Sequence, residues 1–371
     1  MKVVVAIDSF KGCVSSRQAA QAARLGVIDA VKDAEVNTFE IADGGEGTME
    51  CLVSQLGGEK KECMVTGPLG EKIMSTYGIV NKNTAIIEMS AAAGITLVDK
   101  DKLNPLYATT YGVGELIINA MDRGCTKFII GIGGSATNDG GTGMLMALGF
   151  EFLNGDGESI KRGAIGLSEL VQIIDRHVDK RIYDCDFTVA CDVENPLLGE
   201  YGCSRVFAPQ KGADEEMIDK MDNWMSDYAR LTKVLYKDAN EYAKGAGAAG
   251  GLGFALTAYL NGRLENGINI VLGALDIEKY IKECDLVITG EGKIDSQTIM
   301  GKAPTGVSRI AKKYNKRCVA IAGIVGDGIE KLKDAGIETC FCINKNTESE
   351  NVLDPVFASN NIRRTVYEIL S

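Results

Sequence analysis

Residues 1–31 read MKVVVAIDSFKGCVSSRQAAQAARLGVIDAV, and this stretch sets the fold class. Val3–Ile7 is a short continuous apolar run, the pattern of a parallel strand buried on both faces. A polar loop, Asp8–Gly12, follows it. Ser15-Ser16-Arg17-Gln18 is a capping-box pattern, and Ala19, Ala23, Val27, Ala30 and Val31 line one face of the helix it opens. The scheme then repeats. Val36–Ala42 reads as a strand, and Met49, Leu52, Val53 and Leu56 form a helix face that Gly57 ends. From Asp285 onward it repeats again, with strands at Asp285–Thr289, Cys318–Ala322 and Ile337–Ile343. Helices are expected there at Pro304–Tyr314, Gly328–Ala335 and Ile362–Leu370. Both chain ends therefore alternate β and α around a parallel sheet, and one sheet can use both ends with the middle inserted between them.

The middle is more mixed. Glu62–Glu88 holds strand-like pieces separated by turns, Val113–Met121 is helical, and the strands Phe128–Ile132 and Phe187–Cys191 each run into a polar loop. Met217, Met221, Trp224, Tyr228, Leu231 and Leu235 form an apolar stripe, better read as a helix packed on its own domain than as a partner seam. Gly245–Gly262 reads as a Gly/Ala-rich helix. Its start, Gly245–Gly251, suits an anion cradle and a close helix contact equally well.

The 371 residues suggest two or three domains, and 45% apolar with 25% charged residues is an ordinary globular balance. Forty Lys and Arg against 51 Asp and Glu give a formal charge of −11. That argues against a nucleic acid or an anionic membrane surface as partner, though not against a small anionic substrate. The lone histidine, His177, lies in a polar stretch and reads as solvated, so a Ser-His-Asp hydrolase and a multi-His zinc site are hard to build. Eleven cysteines are scattered through apolar segments. Cys340 and Cys342 alternate along a strand and cannot form the usual CxxC pair. Reduced thiols in a cytoplasmic protein are expected. Met1 is followed by a strand, not by a signal-peptide n-region, and no apolar run is long enough to span a membrane.

Five polar clusters follow expected strands directly: Asp8–Gly12, Ala42–Thr48, Gly133–Gly141, Asp192–Pro196 and Gly290–Asp295. Ligands of open α/β sheets bind at the carboxyl ends of strands. Glycine N–H groups reach phosphate oxygens and hard carboxylates suit Mg²⁺, so these loops fit a site for phosphates and metal. Singly, each has a structural reading: Asp43 and Glu46 can cap a helix, and Asp139-Gly140 can be a turn. No stretch fits the P-loop pattern. Gly131–Ala136 fits the looser Rossmann form with Glu151 twenty residues on, which makes a nicotinamide-dependent dehydrogenase of a small hydroxy acid the main rival. Against it, Thr-Asn-Asp-Gly-Gly after Ala136 is too polar for the first turn of a tightly packed helix.

Eight segments also resemble the type I glycerate kinases of bacteria. They are DSFKG (8–12), ADGGEGT (42–48), GGSATNDGG (133–141), ACDVENP (190–196), FAPQKGA (207–213), GAGAAGGLG (245–253), TGEGKIDSQT (289–298) and GKAPTGV (301–307). The resemblance implies two α/β domains. One is flavodoxin-like and built from 1–62 and 284–371, and the other, with a mixed sheet, is inserted at 63–283. It implies ATP and Mg²⁺, with transfer to the 2-hydroxyl of D-glycerate to give 2-phosphoglycerate, in a cleft between domains.

Roles within that frame follow from chemistry. Phosphoryl transfer needs positioning, charge neutralisation and an acceptor for the hydroxyl proton. Asp192 is the expected base, and Lys11 the point charge on the transferring phosphate. Gly44, Gly45, Gly133, Gly134, Ser135 and Asn138 would supply donors to the nucleotide. Asp43 and Asp295 are candidate metal ligands. Ser9, Phe10, Asn195, Lys211 and Lys302 are candidates to hold the substrate, the two lysines through its carboxylate.

Overall fold

Val3–Ile7 becomes a fully buried interior strand of a five-stranded sheet in which every neighbouring pair is parallel. The structure is a computed structural model describing residues 1–296, 298, 301–345 and 352–371, so Gln297 of the TGEGKIDSQT segment lies outside the described residues. The chain divides into two compact units, one formed by Met1–Asp43 with Ile268–Ser371 and the other by Gly44–Gly267.

The first unit holds β1 (Lys2–Ile7) and β2 (Glu35–Glu40). The second holds β3 (Glu59–Thr66), β4 (Lys72–Val80), β5 (Thr84–Glu88), β6 (Lys127–Gly131), β7 (Glu151–Leu153), β8 (Gln172–Ile174), β9 (Asp186–Ala190) and β10 (Arg263–Glu265). The chain then returns to the first with β11 (Leu286–Ile294), β12 (Arg317–Val325) and β13 (Thr339–Cys342). The first sheet runs β13-β12-β11-β1-β2. Counted within the unit, that is the flavodoxin-like order 2-1-3-4-5, with the order reversing between β1 and β11. Helix Ser16–Ala30 carries the expected capping box: Gln18 N–H donates to Ser15 Oγ at 3.2 Å and Ser15 N–H to Gln18 Oε1 at 3.0 Å.

The second sheet is mixed, in the order β10-β9-β6-β5-β4-β3. β3, β4 and β5 are antiparallel, whereas β5, β6, β9 and β10 are parallel, and β7 and β8 pair by themselves. Helix Thr48–Leu56 packs on β4 and β5, so residues 44–62 go with this unit and not with the flavodoxin-like one; helix Ile277–Glu283 packs on β1 and goes with the first. Neither Asp43 nor Glu46 caps helix Thr48–Leu56. Its N-cap is Gly47, and the end of β5 supplies the acceptor: Glu88 Oε1 takes the Met49 N–H at 2.9 Å. Helix Glu215–Leu235 buries Met221, Met225 and Tyr228 in its own unit, which accounts for the apolar stripe.

Two glycine-rich segments interlock in this unit. Gly140 N–H donates to the Gly250 carbonyl at 2.9 Å. Ala249, Gly250 and Gly251 all take left-handed backbone, with φ of 52°, 65° and 91°, so the helix expected over 245–262 becomes regular only beyond Gly251. A Cβ on Gly250 would lie 2.1 Å from the Thr137 carbonyl oxygen, whereas one on Gly47, also left-handed at 89°, would meet nothing within 4 Å. Gly47→Ala therefore carries the left-handed penalty alone, about 1–2 kcal/mol. Gly250→Ala adds overpacking against backbone, roughly 1–3 kcal/mol more. Urea denaturation should rank the two in that order, and equal losses would contradict the interlock.

Candidate active site

In the first unit, a cavity of about 270 Å³ opens beyond the end of β1, where the strand order reverses. The loop after β1 brings Asp8, Ser9, Phe10 and Lys11 to it, β11 brings Glu291 and Lys293, and Asp43 and Lys302 complete the charged lining. Asp8 is buried, and Ser9 N–H donates to its Oδ1 at 2.6 Å. Its pKa is pushed up to about 7, first by burial and next by the neighbouring Asp43 carboxylate. Burial raises Glu291 as well; the Thr298 hydroxyl donates to it at 2.7 Å and Lys302 Nζ lies at 3.9 Å. Lys11 is exposed, with Nζ 3.6 Å from Asp43.

The second unit has its own cavity, of about 370 Å³, at the ends of β6 and β9. Gly44, Gly45, Gly133, Gly134 and Ser135 line it, together with Asp192 and Lys211. Gly44 cannot be replaced without disturbance, because its φ is 92° and a Cβ would lie 2.4 Å from Gly267 Cα. Asp192 is exposed, and Oδ1 accepts the Gly267 N–H at 3.0 Å. Lys211 is fully buried. Its Nζ donates to Ser135 Oγ at 2.7 Å and to the Thr137 carbonyl at 2.6 Å, and burial lowers its pKa to about 8. Beneath the loop lies Asp139, also fully buried. It accepts from Thr110 N–H at 2.8 Å, Thr110 Oγ1 at 2.9 Å and Gly141 N–H at 3.0 Å. So Asp139 is more than a turn residue.

Three expected site residues do other work. Asn138 lines neither cavity: it is buried and its amide donates to Ser204 Oγ at 2.9 Å, inside the core. Asn195 also lies off both cavities, and its side chain ties the turn to the Tyr201 carbonyl at 2.9 Å. Asp295 is paired with Lys293 at 2.9 Å and does not line the first cavity. Conversely, Asp8 and Glu291 face the cavity with no role expected for them. Both sit in polar clusters that follow expected strands, Asp8–Gly12 and Gly290–Asp295, and that position is the signal that could have found them; β11 itself runs on through Glu291 to Ile294. The dehydrogenase reading fails on geometry. No helix follows Ala136 until Thr142–Ala147, and Glu151 sits in β7 against His177.

Among the described residues, no group of three or more His, Cys, Asp or Glu side chains could hold a metal ion unaided. Mg²⁺ asks for less, since it keeps waters and shares phosphate oxygens with one or two carboxylates. Asp8, Asp43 and Glu291, close enough to raise the Asp8 pKa, fit that requirement. The three lysines beside them suit phosphate.

Carboxylates set among lysines at a switch point are the equipment of an α/β phosphotransferase. The sequence specifies which: the glycerate kinase family model matches residues 3–371, and the chain belongs to that family. It is 46% identical to the glycerate 2-kinase of Escherichia coli K12, over 98% of this chain and 96% of that one. It is 45% identical to the glycerate kinase of Bacillus subtilis 168, over 92% and 90%. A solved structure described as glycerate kinase 2, from Salmonella typhimurium LT2, superposes with a TM-score of 0.91 at 43% identity, covering 100% of this chain and 97% of that one.

The raised pKa of Asp8 has a consequence for stability. Below about pH 4 the group is protonated in both the folded and the unfolded chain and has no effect. Between pH 4 and 7 the unfolded chain ionises first, so folding stability falls as pH rises, and the full penalty stands above pH 7. A rise of this size corresponds to roughly 4 kcal/mol. Without divalent cation, Asp8→Asn should therefore be more stable than wild type at pH 8 by a few kcal/mol, and the gap should close toward pH 4. Thermal melts across that range check this; a variant less stable at pH 8 would contradict it.

Proposed function

We propose that the protein is an ATP- and Mg²⁺-dependent glycerate 2-kinase that converts D-glycerate to 2-phosphoglycerate, with the two compact units as its two domains. The observation that carries the reading is the charged cavity at the flavodoxin-like switch point, in a chain 46% identical to a glycerate 2-kinase over nearly its whole length. Switch-point cavities at strand ends take nucleotide phosphates. Lys11, Lys293 and Lys302 supply positive charge there, and Asp8, Asp43 and Glu291 supply hard oxygens for the metal. Bound Mg²⁺ neutralises charge on the phosphate oxygens. The exposed Lys11 is the lysine assigned to the transferring group.

Asp192 is the proton acceptor in this reading. It lines the second cavity and is exposed there. The fixed Gly267 N–H on Oδ1 orients the carboxylate. Eleven free thiols support a reducing compartment such as the cytoplasm, and no described helix is long and apolar enough to cross a membrane.

Phosphorus NMR of the product of ATP, Mg²⁺ and D-glycerate should show 2-phosphoglycerate. Exclusive 3-phosphoglycerate would overturn the regiochemistry, and no product from glycerate would overturn the reading. Asp192→Asn should lower kcat by about 10²–10⁴, the usual worth of general-base help, with a much smaller change in KM for glycerate. Lys11→Met should raise KM for ATP as kcat falls. If Asp192→Asn lost less than tenfold in kcat, another group would have to be the base.

A further inference from the structure

Lys211 is a buried cation with an incomplete set of partners. An ammonium has three N–H donors. Two go to Ser135 Oγ and the Thr137 carbonyl, both neutral. No carboxylate among the described residues forms an ion pair with it. The field of Asp139 reaches it, but Asp139 is committed to Thr110, Gly141 and Gly143, and the other group whose field reaches it is the Cys203 thiol. Burial pushes that thiol up to about 11, so it stays neutral. A buried unpaired charge is expensive to maintain. Lys211 nevertheless lines the second cavity, beside Gly133 and Gly134, whose N–H groups have no acceptor among the described residues.

The charge of the lining restricts the anion. Asp192 is the only other charged residue lining this cavity among those described. A polyphosphate would meet one ammonium and one opposing carboxylate, whereas a monocarboxylate is matched by Lys211 alone. Asp192, a carboxylate on the same lining, is an acceptor that a hydroxyl can address. We propose that Lys211 is the counter-ion of the substrate carboxylate, so that this cavity selects a short hydroxy acid by its carboxylate at Lys211 and its hydroxyl toward Asp192. The inference rests on the kinase reading and adds how the acceptor is recognised. Only the ammonium form binds, so affinity should be level below about pH 8 and fall about tenfold per unit above it.

The test is calorimetric titration of the full chain, with Mg²⁺ and an unreactive ATP analogue present, using D-glycerate and its neutral carboxamide. Glycerate should bind at pH 7 and lose roughly thirtyfold at pH 9.5, and the carboxamide should bind at least about a hundredfold more weakly. Lys211→Met should lose glycerate affinity to a similar degree and become insensitive to pH, with affinity for the ATP analogue unchanged. Equal binding of the carboxamide, retained glycerate affinity in the variant, or loss of ATP-analogue affinity in place of glycerate affinity would each overturn the proposal. Should the variant not fold, the carboxamide comparison and the pH series on wild type decide alone. If wild type phosphorylates glycerate but binds the carboxamide as well, the Lys211 assignment falls and the kinase stands; if it neither binds nor phosphorylates glycerate, the kinase reading falls.

Discussion

The buried carboxylate of Asp139 is the constraint on which the second unit's site depends. It gathers donors from Thr110, Gly141 and Gly143, so the chain from 133 to 143 must fold back over it. A buried charge left with fewer donors would be costly, and a fully satisfied network is correspondingly rigid. The same loop is held from outside by the Gly140–Gly250 hydrogen bond and from one side by Lys211 on Ser135 and Thr137. The result is a glycine turn whose shape is fixed before any ligand arrives. Preorganisation of this kind is what electrostatic catalysis and selective binding both use.

The two units solve different electrostatic problems with different residues. In the first, three carboxylates and three lysines line one cavity, a mixture suited to a metal–polyphosphate complex, whose own charges are mixed. In the second, one lysine and one aspartate line the cavity, a balance suited to a small acid carrying a hydroxyl. A net charge of −11 is no obstacle to either, because the field that matters is that of the few groups facing the ligand.

Much of this was legible in the residues. Val3–Ile7, the Ser15–Gln18 capping box and Gly57 as a helix stop are local signals, and local structure follows them. The flavodoxin-like sheet agrees with the reading of the chain ends, and Lys11, Asp43 and Asp192, read on loops at strand ends, do line cavities there. What was not legible is long-range. Glu88 caps a helix 39 residues earlier in the chain, which displaces Asp43 and Glu46 from that task. Asn138 turns inward to Ser204, 66 residues away, although its neighbours in sequence line the cavity. The allegiance of residues 44–62 depends on which sheet the helix Thr48–Leu56 covers, and its own apolar face does not record that. Asp8 looks like any aspartate after a strand until its distance from water and from Asp43 is known.

The proposed division of ligands between the two cavities, which gives the Gly133–Ser135 turn to the acceptor and not to the nucleotide expected from the sequence, is most directly tested by amide hydrogen exchange on the full chain in three states: free, with Mg²⁺ and an unreactive ATP analogue, and with D-glycerate added to that mixture. The account predicts that the analogue slows exchange at residues 8–12 and 291–293, and that protection at Gly133–Ser135 appears only when glycerate is added. Protection of Gly133–Ser135 by the analogue alone, with no further change on adding glycerate, would contradict it.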